Sequence, residues 1–141
     1  MSTALPEGYA LREGADPVAA HAYLTRSYWA AGIPLDTVRR SLENSFALSI
    51  VHEGAQVGMA RVITDFAPYA YVADVYVLEE HRGRGLSKAL IASLRGHPRL
   101  QGLRRWALCT QDAQALYRQF GWIEYPFPER MMTLDDPDLQ P

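Results

Sequence analysis

The stretch "HRGRGLSKAL", His81 to Leu90, constrains this chain more than any other. It follows an apolar run, Val72 to Leu78, and opens a segment in which Leu86, Leu90, Ile91 and Leu94 recur at helical spacing. The chain therefore passes from strand to helix through Arg82, Gly83, Arg84 and Gly85. Glycine has no Cβ, so such a turn brings bare backbone close to whatever approaches it. The first N–H groups of the helix lack intrahelical partners and lie at its positive end, an arrangement suited to phosphate oxygens. Two phosphate motifs nevertheless do not fit. There is no G-x-x-x-x-G-K-[ST], and G-x-G-x-x-G fails because Lys88 stands where its third glycine belongs. Nucleoside triphosphatase and dinucleotide readings lose their main support.

Around this junction the periodicities alternate between strand and helix. "GYALREG" reads as a first strand. Asp16 is placed to cap a helix with Pro17 at its first position, carrying "PVAAHAYLTRSYWA" until Gly32 and Pro34 interrupt it, and a second helix follows over "LDTVRRSLEN". "SFALSIVHEGAQVGMARVITD" predicts two strands joined at Glu53-Gly54, with "YVADVYVL" as a third beyond the "FAPY" turn. A turn centred between Ala67 and Pro68 sets Arg61 opposite Asp74. Further on, "LSKALIASLRG" is a helix and "RRWALCT" a buried strand with Cys109 as a small core residue. "DAQALYRQFG" is a short helix capped by Asp112 and stopped by Gly121, and "ERMMTL" is a last strand before a frayed acidic tail. The class is α/β with a mixed sheet.

Composition narrows the partners. With 141 residues there is room for one domain and its core. Lys+Arg 14 against Asp+Glu 16 gives a net charge of -2, so no whole-chain field attracts nucleic acid or an anionic membrane. Cys109 alone makes no intramolecular disulfide, the N-terminus has no signal pattern, and no apolar stretch approaches the ~20 residues that span a bilayer. A cytoplasmic protein that binds neither nucleic acid nor membrane is expected. His21, His52, His81 and His97 have no metal-site spacing, so no metal is expected.

"VYVLEEHRGRGLSKAL" resembles the strand-to-helix segment [QR]-x-x-G-x-[GA] of the GNAT superfamily of acetyl-coenzyme A dependent N-acetyltransferases, with Arg82 first, Gly85 fourth and Ser87 in the last place. "TQDAQALYRQFGW" is similar to that family's N-x-x-A-x-x-L-Y-x-x-x-G-F at Ala113, Leu116, Tyr117 and Gly121, with Thr110 for the asparagine and Trp122 for the phenylalanine. The resemblance runs from about Leu5 to Leu134 and is closest to small bacterial stand-alone members. It implies a single N-acetyltransferase domain over residues 1–141 with a GNAT-like fold: a mixed, largely antiparallel central sheet, flanking helices and a splayed fourth strand.

The same resemblance implies how the residues act. The pyrophosphate of acetyl-coenzyme A would be held by backbone N–H groups of Gly83, Gly85, Ser87 and Lys88, with Arg82 and Arg84 beside them and Thr110 also on the cofactor side. The pantetheine arm would pair with the backbone of Val75, Tyr76 and Val77, and a strand amide such as that of Val77 would meet the oxyanion. Tyr117 would protonate the leaving thiolate, since a free phenol of pKa about 10 stays protonated at neutral pH. Asp74, the one acid within "YVADVYVL", is the candidate general base. Trp29 is assigned to the acceptor side; the register that sets Arg61 opposite Asp74 reads either as a purely structural ion pair or as a pair at the acceptor end, where Arg61 is also able to meet an acceptor carboxylate. The acceptor would be a small-molecule or peptide amine attacked directly in a ternary complex, with a homodimer admitted. Two alternatives stay open: a non-catalytic acyl-coenzyme A sensor, and a transferase of longer acyl chains.

Overall fold

A computed structural model describes residues 4–139. The chain falls into two compact units, dividing between Cys109 and Thr110. The first unit is built on a five-stranded sheet in the order β1-β2-β3-β4-β5. Its strands are β1 (Tyr9–Glu13), β2 (Phe46–His52), β3 (Ala55–Thr64), β4 (Tyr69–Val77) and β5 (Arg105–Ala107). The first four run antiparallel, and β5 joins β4 in parallel. Helices α1 (Pro17–Leu24), α2 (Leu35–Glu43) and α3 (Leu86–Gly96) complete this unit.

Local chemistry explains most of these boundaries. The Asp16 side chain accepts from the Val18 N–H and Pro17 opens α1, as expected. That helix stops at Leu24, earlier than "YWA", because Ser27 turns back: its hydroxyl donates to the Leu24 carbonyl and accepts from the Ala30 N–H. Between β2 and β3, Glu53 and Gly54 both have positive φ, 50° and 80°, the requirement of a two-residue turn whose twist matches its strands.

The sheet is covered on both faces. Met59 and its cross-strand partner Tyr76 pack with Ala20, Leu24 and Val38 from α1 and α2. Gly58, next to Met59, belongs to the other face. A Cβ there would lie 3.1 Å from the Tyr76 carbonyl oxygen and 3.7 Å from Leu90 of α3, so glycine permits the close approach of helix to sheet. Leu86, Leu90, Ile91 and Leu94 of α3 are all buried, which accounts for their helical spacing.

Several expectations need correction. Arg61 faces Ala73 rather than Asp74. The loop after β3 is centred on Ala67, because Asp65 accepts from the N–H groups of Ala67 and Tyr69 and fixes a tighter turn. The strand "RRWALCT" contracts to Arg105–Ala107, its residues are exposed or half-buried, and Cys109 is exposed rather than a core residue.

In the second unit, α4 (Gln114–Arg118) is not capped by Asp112. No side chain caps it; the Thr110 hydroxyl accepts from the N–H of Ala113, the residue just before the helix, at 3.1 Å. The last strand is also absent among the described residues. Pro126 and Pro128 remove donors, a 3₁₀ turn occupies Pro128–Arg130, and Met131, Met132 and Leu134 are exposed.

Candidate active site

The glycine turn forms as its residue types dictate. Gly83 and Gly85 both adopt φ of 77°, the left-handed region that suits glycine. Gly85 precedes α3 without any side-chain cap, and the first intrahelical bond runs from the Ala89 N–H to the Gly85 carbonyl. The N–H groups of Leu86, Ser87 and Lys88 therefore have no intrahelical acceptor and face the helix's open positive end. A Cβ built on Gly83 or Gly85 would meet no atom within 4 Å, so the ground before the turn is clear. Those bare amides fit an anion such as a pyrophosphate.

Both arginines of the turn are anchored by tyrosines. Arg82 donates from Nε to the Val77 carbonyl at 3.1 Å and from Nη2 to the Tyr23 hydroxyl at 3.0 Å. Arg84 donates from Nη1 to the Tyr9 hydroxyl at 2.7 Å, and that hydroxyl also bonds His81 Nδ1 at 2.7 Å. Tyr9 stacks on His52, with ring centroids 4.4 Å apart. Sequence reasoning missed Tyr9 and His81 as supports of the turn. The pairing of β1 with β2, which sets Tyr9 against His52, is the signal that joins them.

β4 leads into this turn with one edge open. Its ladder to β5 covers only Tyr69, Ala70 and Tyr71, and beyond Tyr71 no strand pairs with that edge among the described residues. This is the expected splay of the fourth strand. On the other side the Leu78 N–H bonds the Val57 carbonyl at 2.8 Å. By the alternation of an antiparallel ladder, Val77 turns its own amide away from β3. Near the divergence, the Tyr71 phenol is pushed up to about 12 by burial and by a hydrogen bond with Cys109. Tyr76 is held by its side chain as well: the ring stacks on Tyr23 at 4.3 Å and the hydroxyl accepts from Gln56. Burial raises the pKa of that phenol.

Arg61 and Asp74 do meet, though by another route than direct opposition. Met59 pairs with Tyr76 and Arg61 with Ala73, so Asp74 and Val75 together face Ala60 in a β-bulge. Asp74 takes φ of 52° at this bulge. Its Oδ2 accepts from Arg61 Nε at 2.8 Å and its Oδ1 from Trp29 Nε1 at 2.9 Å. Two candidate residues, Arg61 and Trp29, thus converge on the carboxylate of a third. The side chains of Arg61 and Asp74 are 14% and 11% exposed.

Asp74→Asn tests the weight of this junction. Asparagine tolerates positive φ, so the backbone keeps its shape while Arg61 loses its counter-charge. Breaking a buried pair costs about 3–5 kcal/mol, and residual solvent contact reduces the expectation here to about 2 kcal/mol, a fall of several degrees in Tm. Asp74→Ala is expected to melt lower still, because alanine resists the bulge conformation. Thermal denaturation of both variants checks the order.

Thr110 and Tyr117 belong to the second unit. Thr110 is engaged at the start of α4, where its carbonyl also accepts from Gln114 Nε2. Tyr117 is buried near the end of α4, its ring 5.6 Å from that of Trp122 in an edge-to-face pair.

Comparison with known proteins places this geometry. Residues 9–122 match the model of the acetyltransferase (GNAT) family. The crystal structure of a candidate GNAT acetyltransferase from Xanthomonas campestris pv. campestris superposes with a TM-score of 0.85 at 40% identity, over 96% of this chain and 98% of that one. A candidate acetyltransferase of Gibberella zeae is 31% identical over 70% of this chain and 67% of its own. The fold alone is shared with a candidate acetyltransferase from Clostridium acetobutylicum solved with acetyl-CoA, at a TM-score of 0.68 and 14% identity over 90% of this chain and 96% of that one. A family match across the sheet, the glycine turn and α4 shows that the chain belongs to the GNAT family of acetyltransferases.

Proposed function

We propose that this protein is an acetyl-CoA dependent N-acetyltransferase that moves an acetyl group to the amine of a small molecule or peptide, with donor and acceptor bound together. The observation that carries the reading is the continuity of β4 with the turn: an unpaired strand edge runs directly into uncapped amides at a helix start. A long donor with a phosphate end and an amide-bearing arm suits both parts. Backbone amides of Gly83, Gly85, Ser87 and Lys88 receive the pyrophosphate, with Arg82 and Arg84 adding charge. The backbone of Val75, Tyr76 and Val77 receives the arm as an added strand would be received. Acetyl-CoA, when bound, supplies a thioester as activated acyl group.

The remaining roles belong to the chain's own groups. The Val77 amide donates toward the acyl oxygen as negative charge develops there. Asp74 has one protein donor on each oxygen and keeps lone pairs for a water that relays the amine's proton to the carboxylate. Tyr117 gives its phenolic proton to the departing sulfur. The match of "ALY" to the family segment supports that role, and the whole chain then acts as one catalytic domain.

The test is to give the protein acetyl-CoA with a broad panel of amines and follow free thiol together with the mass of the product. Thiol release that depends on the amine, with a matching acetylated product, is expected. Binding of acetyl-CoA without turnover on any amine would leave a sensor and overturn the reading.

A further inference from the structure

The Asp74 carboxylate and the Arg61 guanidinium are unequal partners. Both carboxylate oxygens have a donor, Arg61 Nε on one and Trp29 Nε1 on the other. The guanidinium gives only its Nε–H to this pair. A guanidinium has five N–H donors, and the Nη groups of Arg61 have no acceptor among the described residues. An arginine and a carboxylate left to themselves close as a fork of two parallel bonds. Here Arg61 reaches one oxygen through Nε, and the other oxygen accepts from Trp29 Nε1.

Neither Nη is a buried atom without a partner, so both keep contact with solvent, although the Arg61 side chain as a whole is only 14% exposed. A planar double donor that is largely desolvated yet open along one edge suits a carboxylate.

The surroundings favour the same charge. Arg26 lies over the Tyr23 ring, 4.9 Å from its centre, and Arg82 donates to the Tyr23 hydroxyl. Tyr23 in turn adjoins both Trp29 and Tyr76. Asp74 and Asp16 both act on the Tyr76 phenol. Beside them the residues Tyr28 and Trp29 are 47% and 37% exposed, their rings packed edge to face as a wall for an organic ligand.

We infer that the acceptor is an amine that also carries a carboxylate, received on the Nη edge of Arg61 with the indole of Trp29 beside it. This rests on the N-acetyltransferase reading, because Asp74 begins the bulge three residues before Val77, on the strand where the acyl end would lie. Asp74 thereby acquires a positioning role: it holds Arg61 through Nε and aims the Nη edge.

The experiment compares each amino acid with its amide and with its decarboxylated amine. The sets are phenylalanine, phenylalaninamide and 2-phenylethylamine, then lysine, lysinamide and 1,5-diaminopentane. The α-amine of the amide is less basic than that of the acid, so preference for the acid cannot arise from amine protonation. Wild type is expected to favour the acids by roughly 10- to 100-fold in kcat/KM, the worth of a charge-assisted hydrogen bond. Arg61→Lys keeps the charge beside Asp74 but loses the planar edge. It should erase that preference, chiefly through KM, with the Kd for coenzyme A unchanged. Calorimetry of N-acetylphenylalanine and N-acetyllysine against their amides, with coenzyme A present, reads the same edge without turnover. Equal use of acid and amide by wild type, or an undiminished preference in Arg61→Lys, overturns the inference. So does failure of both N-acetylated acids to bind. If no amine releases thiol but Arg61 still selects the acids in calorimetry, the pocket stands and the transferase reading falls. If only amines without a carboxylate are acetylated, the transferase reading stands and the carboxylate site falls.

Discussion

Gly85→Glu is expected to abolish the rise in melting temperature that coenzyme A gives the wild-type chain. Gly85 sits at φ of 77°, so any side chain there incurs strain of about 1 kcal/mol. The protein itself offers no clash, because no atom lies within 4 Å of the added Cβ, and a carboxylate at a helix start offsets part of the strain. The variant should therefore fold. The same carboxylate occupies the ground before the Leu86, Ser87 and Lys88 amides and repels a phosphate. A ligand at 100 times its Kd stabilises the folded state by about 2.7 kcal/mol, and that gain should vanish as affinity falls by about 100-fold or more. Gly85→Ala, with the strain but no charge, should retain part of the shift. Equally tight calorimetric binding by Gly85→Glu would show that the turn is not the coenzyme A site.

Tyr117→Phe should lower kcat by roughly 10- to 1000-fold, the span expected around a positioned proton donor. The ring stays, so the edge-to-face contact with Trp122 and the melting temperature should be preserved. Coenzyme A affinity should also hold, since the phenol is assigned to the leaving sulfur and not to the phosphates. Rapid-quench kinetics, with the acyl-transfer step limiting, provide the measurement. An unchanged rate there removes Tyr117 from the chemistry, and a large fall in melting temperature instead assigns its hydroxyl to packing.

The turn and α3 were legible because local rules govern them. Left-handed glycines, a helix start and a leucine stripe follow from neighbours a few residues apart, and the helix falls at Leu86–Gly96, the stretch read from its spacing. The pairing of Arg61 with Asp74 was legible as chemistry but not as geometry. Counting outward depends on where the turn is centred, and Asp65 tightens the loop so that Arg61 falls opposite Ala73, one residue before Asp74. Trp29 could be assigned to the acceptor side from the resemblance, but its bond to Asp74 spans 45 residues and has no local pattern. The missing last strand failed for a different reason. "ERMMTL" has strand-like residues, yet a strand exists only with a partner, and Pro128 turns the backbone immediately before it.

The phenol of Tyr9 carries a consequence for how binding competence arises during folding. Its contacts with His81 and Arg84 span 72 and 75 residues, so a large loop must close before they form. The glycine conformations need only their neighbours, but the orientation of Arg84 waits for β1 to dock. A peptide cut from β4 through α3 would thus carry every residue of the turn and still lack the clamp that aims its second arginine. In the proposed anion site, the share of affinity that Arg84 would add depends on the assembled sheet and cannot be transplanted with the motif.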